Sequence, residues 1–341
     1  MKKISTAPIA LALALSASAF APAFASAQST ATTGMPATPF TTSTTVISSS
    51  STPATPSIIW PAISAQSAFI YNPISGQVVY EKNADMQRPT ASLLKIMTAA
   101  TADKILAMSP KLADKKLTII NMKNESAVDF ALPTGSTWLP DPLMQIMLLG
   151  SSNKAAETIA SQLVPRTSFM SLMNFYAKQM GLTQTYFRNA SGLTEGPTTA
   201  ATKATASGST IGDLSVAGGV STPREFAKMM WNIISAHPGL LDITGQGSIT
   251  ITSPKTAANP KGLTVVSNTN KILSNFPIIF GKTGFTENAG GNLAIVMQKS
   301  STSQPYIIVV LDSDDTDSRF ADAAKLASTT LQLMDLQDLR K

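Results

Sequence analysis

Ser92 and Lys95 interrupt an otherwise apolar run made of Leu93, Leu94, Ile96, Met97, Ala99 and Ala100. On a helix a spacing of three places both side chains on one face. Pro89 discourages helix in the residue before it and suits a helix start, so the pair is expected at the opening of a buried helix. A hydroxyl held beside an amine in apolar surroundings is a nucleophile beside a base, with Lys95 removing the Ser92 proton. The spacing also fits a serine at a helix start followed by a snorkelling lysine. Ser151 and Lys154 repeat it, so the pair alone does not establish chemistry.

Two more groups carry suitable side chains. Ser151-Ser152-Asn153 is a polar link between two helical runs, where a serine can relay a proton and an amide can hold a carbonyl. Ordinary capping of the second helix also accounts for those residue types. Lys282-Thr283-Gly284 follows the strand-like run Phe276-Pro277-Ile278-Ile279-Phe280. Lysine and threonine together can grip a carboxylate, and glycine lets a ligand backbone lie close along a strand.

Composition removes several alternatives. There is no cysteine, which excludes disulfides, thiol catalysis, thiolate metal sites and a lipid anchor on Cys. The single histidine, His237, cannot supply a metal site needing several imidazoles. It sits in Ser235-Ala236-His237-Pro238-Gly239, a helix end with a Pro-Gly stop, where positive charge is favourable. A serine enzyme built from this chain is therefore expected to use a base other than histidine. The net charge is +6, or +4 without Lys2 and Lys3, and no dense Lys/Arg stripe for nucleic acid is present.

The elements that must position these groups follow in order. Met1-Lys2-Lys3, the apolar run Ala7 to Ala21 and Ala25-Ser26-Ala27 before Gln28 read as a signal peptide over 1–27, implying export to the periplasm or cell exterior. Residues 28–57 are Ser, Thr, Ala and Pro without charge and read as a disordered linker. A hairpin is expected from Ser67–Tyr71 and Gln77–Glu81, and a β-rich excursion over 117–135. Helices are expected over Leu143–Leu149, Lys154–Leu163 and Thr167–Met180, and from the capping box Thr222-Pro223-Arg224-Glu225 to His237. The stretch Gly196–Ser221 reads as an exposed mobile loop. Strands at Phe276–Phe280, Asn292–Gln298 and Pro305–Leu311 precede a helix with Phe320, Ala324, Ala327, Leu331 and Met334 on one face. The order argues for an α+β fold: an antiparallel sheet from both chain ends, flanked by helices, with a mostly helical insert over about 105–260 in a domain spanning 58–341.

Ser-x-x-Lys, then Ser-x-Asn, then Lys-Thr-Gly, in this order on a helix, a loop and a strand, is the signature of serine penicillin-recognising enzymes. The blocks Ser67–Ala84, Arg88–Ala99, Leu148–Ala156, Asn268–Leu273 and Gly281–Thr286 resemble the D-alanyl-D-alanine carboxypeptidases, the low-molecular-mass penicillin-binding proteins. The resemblance implies a β-lactamase/transpeptidase-like fold, no cofactor or metal, and a peptidoglycan stem peptide ending in D-Ala-D-Ala as substrate, with β-lactams as covalent inhibitors. It also implies the roles. Ser92 is the nucleophile, Lys95 its base and Ser151 a proton relay. Asn153, Lys282, Thr283, Gly284 and Phe285 bind substrate, and the N–H groups of Ser92 and Phe285 face the oxyanion.

Three alternatives share the motifs: a D,D-endopeptidase acting on cross-links, a class A-like β-lactamase, and a non-catalytic wall-binding protein. The β-lactamase needs a glutamate with asparagine four residues on, and Glu157, Glu195 and Glu225 have none. The Gly196–Ser221 stretch is longer than the family leads one to expect. No C-terminal anchor or further β-rich domain is evident after the closing helix, so the chain resembles the single-domain members.

Overall fold

The computed structural model of the protein describes residues 58–123, 126–196, 204–206, 209–255 and 259–338. The expected signal peptide and linker lie outside the described residues.

Strands β1 (Ser67–Tyr71) and β2 (Val78–Lys82) form the expected hairpin. Asn72 closes it by accepting from the N–H groups of Ile74 and Ser75, a side-chain mimic of a backbone turn. Pro89 is not at a helix start. It belongs to the two-residue strand β3 (Arg88–Pro89), and a 3-10 turn over Ala91–Leu94 then runs into helix α1 (Lys95–Met108). The 117–135 region holds less strand than expected: β4 (Leu117–Thr118) pairs with β5 (Thr137–Trp138), and a 3-10 turn over Ala127–Ala131 lies between. The reciprocal capping box of Ser126 and Asp129 favours that helical turn.

Helices α2 (Pro140–Leu149), α3 (Asn153–Gln162) and α4 (Arg166–Gln179) match the sequence closely. They are followed by β6 (Tyr186–Phe187), β7 (Ala204–Ala206), β8 (Ser209–Ile211) and β9 (Gly219–Ser221). The expected exposed loop is thus corrected at its end, because β9 is buried between β3 and β6. Close backbone approach explains the glycines there: a Cβ on Gly218 would stand 2.4 Å from the Leu193 carbonyl oxygen. Helix α5 (Pro223–Ala236) starts at Thr222, whose side chain accepts from the Glu225 N–H, and the short α6 (Leu241–Thr244) follows.

The hairpin β10 (Ser248–Thr252) and β11 (Leu263–Ser267) was not anticipated, although β10 alternates polar and apolar residues. Strands β12 (Ile278–Thr286), β13 (Gly290–Met297) and β14 (Tyr306–Ser313) and helix α7 (Ser318–Asp338) complete the chain. Five strands form one antiparallel sheet in the order β12-β13-β14-β1-β2, built from both chain ends as expected. Strands β1, β13 and β14 are buried along their whole length, so both faces of the sheet's centre are covered. Ile307, Val309 and Leu311 join the core beneath α1–α5, while Ile308 and Val310 join the core under α7 with Phe320, Leu326 and Met334. Each such large side chain contributes at most about 1.5–3 kcal/mol on burial. Among the described residues no helix is long and apolar enough to cross a membrane.

Candidate active site

The 3-10 turn presents Ser92 at the edge of the helical core, partly accessible, with Lys95 fully buried beneath it. Ala91, the residue before the hydroxyl, has φ +46, a left-handed backbone that costs about 1–2 kcal/mol for a residue with a side chain. Gly192 braces this turn, since a Cβ there would lie 2.1 Å from the Ala91 carbonyl oxygen.

Lys95 Nζ has three neighbours: Ser92 Oγ at 2.6 Å, Ser191 carbonyl at 2.7 Å and Asn153 Oδ1 at 2.8 Å. A neutral amine has two N–H bonds and one lone pair. The carbonyl oxygens of Ser191 and Asn153 accept only, so they take the two hydrogens and leave the lone pair to the Ser92 hydroxyl. Burial pulls the Lys95 pKa down to about 7, against the carboxylates of Asp129 and Glu157, which favour the ammonium form. Burial is the largest cause of this shift. The repulsion between the two lysines acts on Lys282, held well below the ordinary lysine range by burial, then by Lys95 and Arg319.

Ser151 is tied to Lys282, whose Nζ donates to Ser151 Oγ at 2.8 Å and to the Thr283 carbonyl at 3.0 Å. Its backbone is left-handed too, with φ +63. Lys282-Thr283-Gly284 lies on β12 itself rather than after a strand. The Thr283 hydroxyl is 2.7 Å from that of Thr269. Gly284 also meets the protein's own backbone. A Cβ there would be 3.0 Å from the Thr90 carbonyl and 3.2 Å from the Ser92 nitrogen, so its bareness lets β12 pack on the Ser92 turn. Phe285 follows, with 38% of its surface exposed. The structure thus gathers Ser92, Lys95 and Asn153 in one hydrogen-bonded group and Ser151, Lys282 and Thr283 in another, with Gly284 joining β12 to the Ser92 turn.

Residues 51–315 match the family model described as D-alanyl-D-alanine carboxypeptidase. The chain belongs to this family. It is 29% identical over 270 residues to the D-alanyl-D-alanine endopeptidase of Escherichia coli, covering 78% of this chain and 77% of that one. It is 27% identical over 288 residues to a D-alanyl-D-alanine carboxypeptidase of a Streptomyces species, covering 81% of this chain and 89% of the other. A solved penicillin-binding protein of Listeria monocytogenes with ampicillin bound superposes with TM-score 0.63 at 29% identity, over 79% of this chain and 98% of its own. The expected α+β architecture, family and serine-peptidase class are borne out.

Three contributors to the carboxypeptidase-family site were missed from sequence. Ser191 acts through its backbone carbonyl, which no side-chain pattern reports. In sequence Glu157 stands out only as a candidate deacylation base without the asparagine that role needs. Its Oε1 instead accepts from the Ala190 and Ser191 N–H groups at 3.0 Å each, fixing the carbonyl that faces Lys95, and Arg166 pairs with its other oxygen. A carboxylate among the alanines of a buried helix face was the available signal. Arg319 of α7 donates to the Gly284 carbonyl at 2.7 Å. His237 pairs with Asp103 at 2.5 Å at the end of α5, as suits the structural role expected of it.

Proposed function

We propose that Ser92 attacks the penultimate carbonyl of a peptidoglycan stem peptide ending in D-Ala-D-Ala, with its proton passing to Lys95. The observation that carries this reading is the 2.6 Å approach of Lys95 Nζ to Ser92 Oγ, with two carbonyl oxygens beside it that can take the hydrogens of the neutral amine. The Ser92 and Phe285 N–H groups stabilise the oxyanion. The C–N bond then breaks, and the proton that Lys95 took from Ser92 passes by way of Ser151 to the leaving D-alanine amine, which leaves Lys95 neutral again. Asn153 holds a substrate amide, while Lys282 and Thr283 bind the terminal carboxylate and so select a free C-terminus. Water hydrolyses the acyl-enzyme and regenerates Ser92.

In this reading β-lactams acylate Ser92 in the same way, residues 58–341 form one exported peptidase domain, and its setting is the periplasm or the cell wall. The Escherichia coli relative's activity supports a second reading, endopeptidase action on cross-links, which shares the acylation step and differs in the leaving amine. Glu157 has its Oε1 committed to two backbone donors, which argues against a β-lactamase base.

The deciding experiment incubates the protein with a D-Ala-D-Ala peptide and follows D-alanine release, then maps labelled penicillin by peptide sequencing. D-alanine release with label on Ser92 is expected; label elsewhere, or none, sinks the reading. Thr269→Val removes the partner of the Thr283 hydroxyl. It is expected to raise KM for the peptide about three- to tenfold with little change in kcat, the scale of one hydrogen bond of ~1 kcal/mol.

A further inference from the structure

Asp129 carries a fully buried carboxylate that the reaction above does not use. Its Oδ2 accepts from the Ser126 N–H and hydroxyl at 2.7 Å each and from the Asn153 N–H at 3.3 Å. Its Oδ1 accepts from the Lys154 N–H at 3.2 Å and from the Ser152 hydroxyl.

A helix leaves its first four N–H groups without intrahelical partners. In α3 these belong to Ser152, Asn153, Lys154 and Ala155, and all four are accounted for. Ser152 donates to the Ile146 carbonyl at 3.4 Å, and Ala155 to Ser152 Oγ at 2.9 Å. Asn153 and Lys154 donate to Asp129. One side chain from a turn 23 to 25 residues earlier therefore anchors the segment that holds both Ser151 and Asn153. Ser151, with φ +63, keeps a strained backbone, and such strain persists only where the surroundings over-determine it.

We propose that Asp129 is a positioning residue for the acyl-transfer reaction. It holds residues 152–154, directly after Ser151, so that Ser151 Oγ meets Lys282 and Asn153 Oδ1 meets Lys95, and its charge acts on Lys95 at the same time. The proposal rests on the reading that Lys95 in neutral form takes the Ser92 proton. The charged groups around Lys95 are Asp129 from the 3-10 turn, Glu157 from α3, itself paired with Arg166, and Lys282 from β12. Asp129 favours the ammonium form, so removing its charge lowers the pH at which Lys95 becomes neutral.

The test is the rate at which labelled penicillin acylates Ser92 in wild type and Asp129→Asn, measured from about pH 5 to 9 to span the titration of the base. The plateau rate is expected to fall about tenfold or more through misplacement of the clamped groups. The acid limb is expected to move to lower pH. A rate within about twofold of wild type, or a lower rate with an unmoved limb, overturns the proposal. Ser152→Ala leaves the carboxylate and its two backbone contacts in place but removes the side-chain tie between the segment and Asp129, together with the acceptor of the Ala155 N–H. Its plateau should fall with the limb unmoved, and wild-type labelling in this variant overturns the clamp even where Asp129→Asn does not fold. Absence of label from the wild-type protein refutes the reading of Ser92 and Lys95, and the proposal with it.

Discussion

Lys95→Met is expected to slow acylation of Ser92 by roughly 10²–10⁴-fold, the range for a lost general base. Methionine fills the buried volume without a charge or a lone pair suited to the proton, so the loss reports chemistry rather than packing. Stability should hold or rise, because an ammonium no longer has to be desolvated. The pH dependence is the sharper expectation. The ammonium form of Lys95 cannot accept a proton and the neutral form can. Its pKa stands at about 7 rather than the 10.5 of an ordinary lysine, so wild-type acylation should rise with pH and level off above about 7. Stopped-flow labelling with a fluorescent penicillin measures both. A variant rate within tenfold of wild type, or a wild-type limb near the ordinary lysine pKa, removes Lys95 from its role.

The parts of the fold legible in the sequence are those where local chemistry and tertiary packing agree. The hairpin at Asn72-Pro73, the helices from α2 to α4 and the Thr222 cap declare themselves through turn and capping residues, and the structure keeps them. Strand β9 was illegible because its burial depends on pairing with β3 and β6, far away in the chain. Gly218 and Gly219 read as loop residues where in fact they permit close packing. Pro89 was misread for a related reason: its fixed φ fits a helix start and a short strand equally well.

The site divides in the same way. The side chains proposed to act directly, Ser92, Lys95, Ser151, Asn153, Lys282 and Thr283, are readable from type and spacing. What holds them is not. The Ser191 carbonyl is backbone, Asp129 lies in a stretch read as strand, and the left-handed φ angles of Ala91 and Ser151 have no glycine to announce them. Gly284 was readable as a close approach, but sequence alone could not say whether the approaching atoms were a ligand's or the protein's own.

Arg88→Met is expected to cost about 3–5 kcal/mol of folding stability, measured by urea unfolding, the cost of leaving a buried charge without its partner. Arg88 is the largest fully buried side chain, and its Nη1 pairs with Asp312 Oδ2 at 2.9 Å while Nε donates to Ser67 Oγ at 3.0 Å. Without the guanidinium the Asp312 carboxylate keeps its burial and loses this counter-charge. Adding Asp312→Asn should recover much of the loss, because a neutral pair avoids the desolvation of both ions, and asparagine tolerates the left-handed backbone there, φ +60. A single-variant cost below about 1 kcal/mol, or a double variant no better than the single, contradicts this account. The consequence reaches the Ser92 turn. Asn292 donates to the Pro89 carbonyl at 3.0 Å and accepts from the Asp312 N–H at 2.8 Å, so the ion pair and the strained turn at Ala91 share one support. Acylation by Arg88→Met should therefore fall with stability, and the double variant should regain both together.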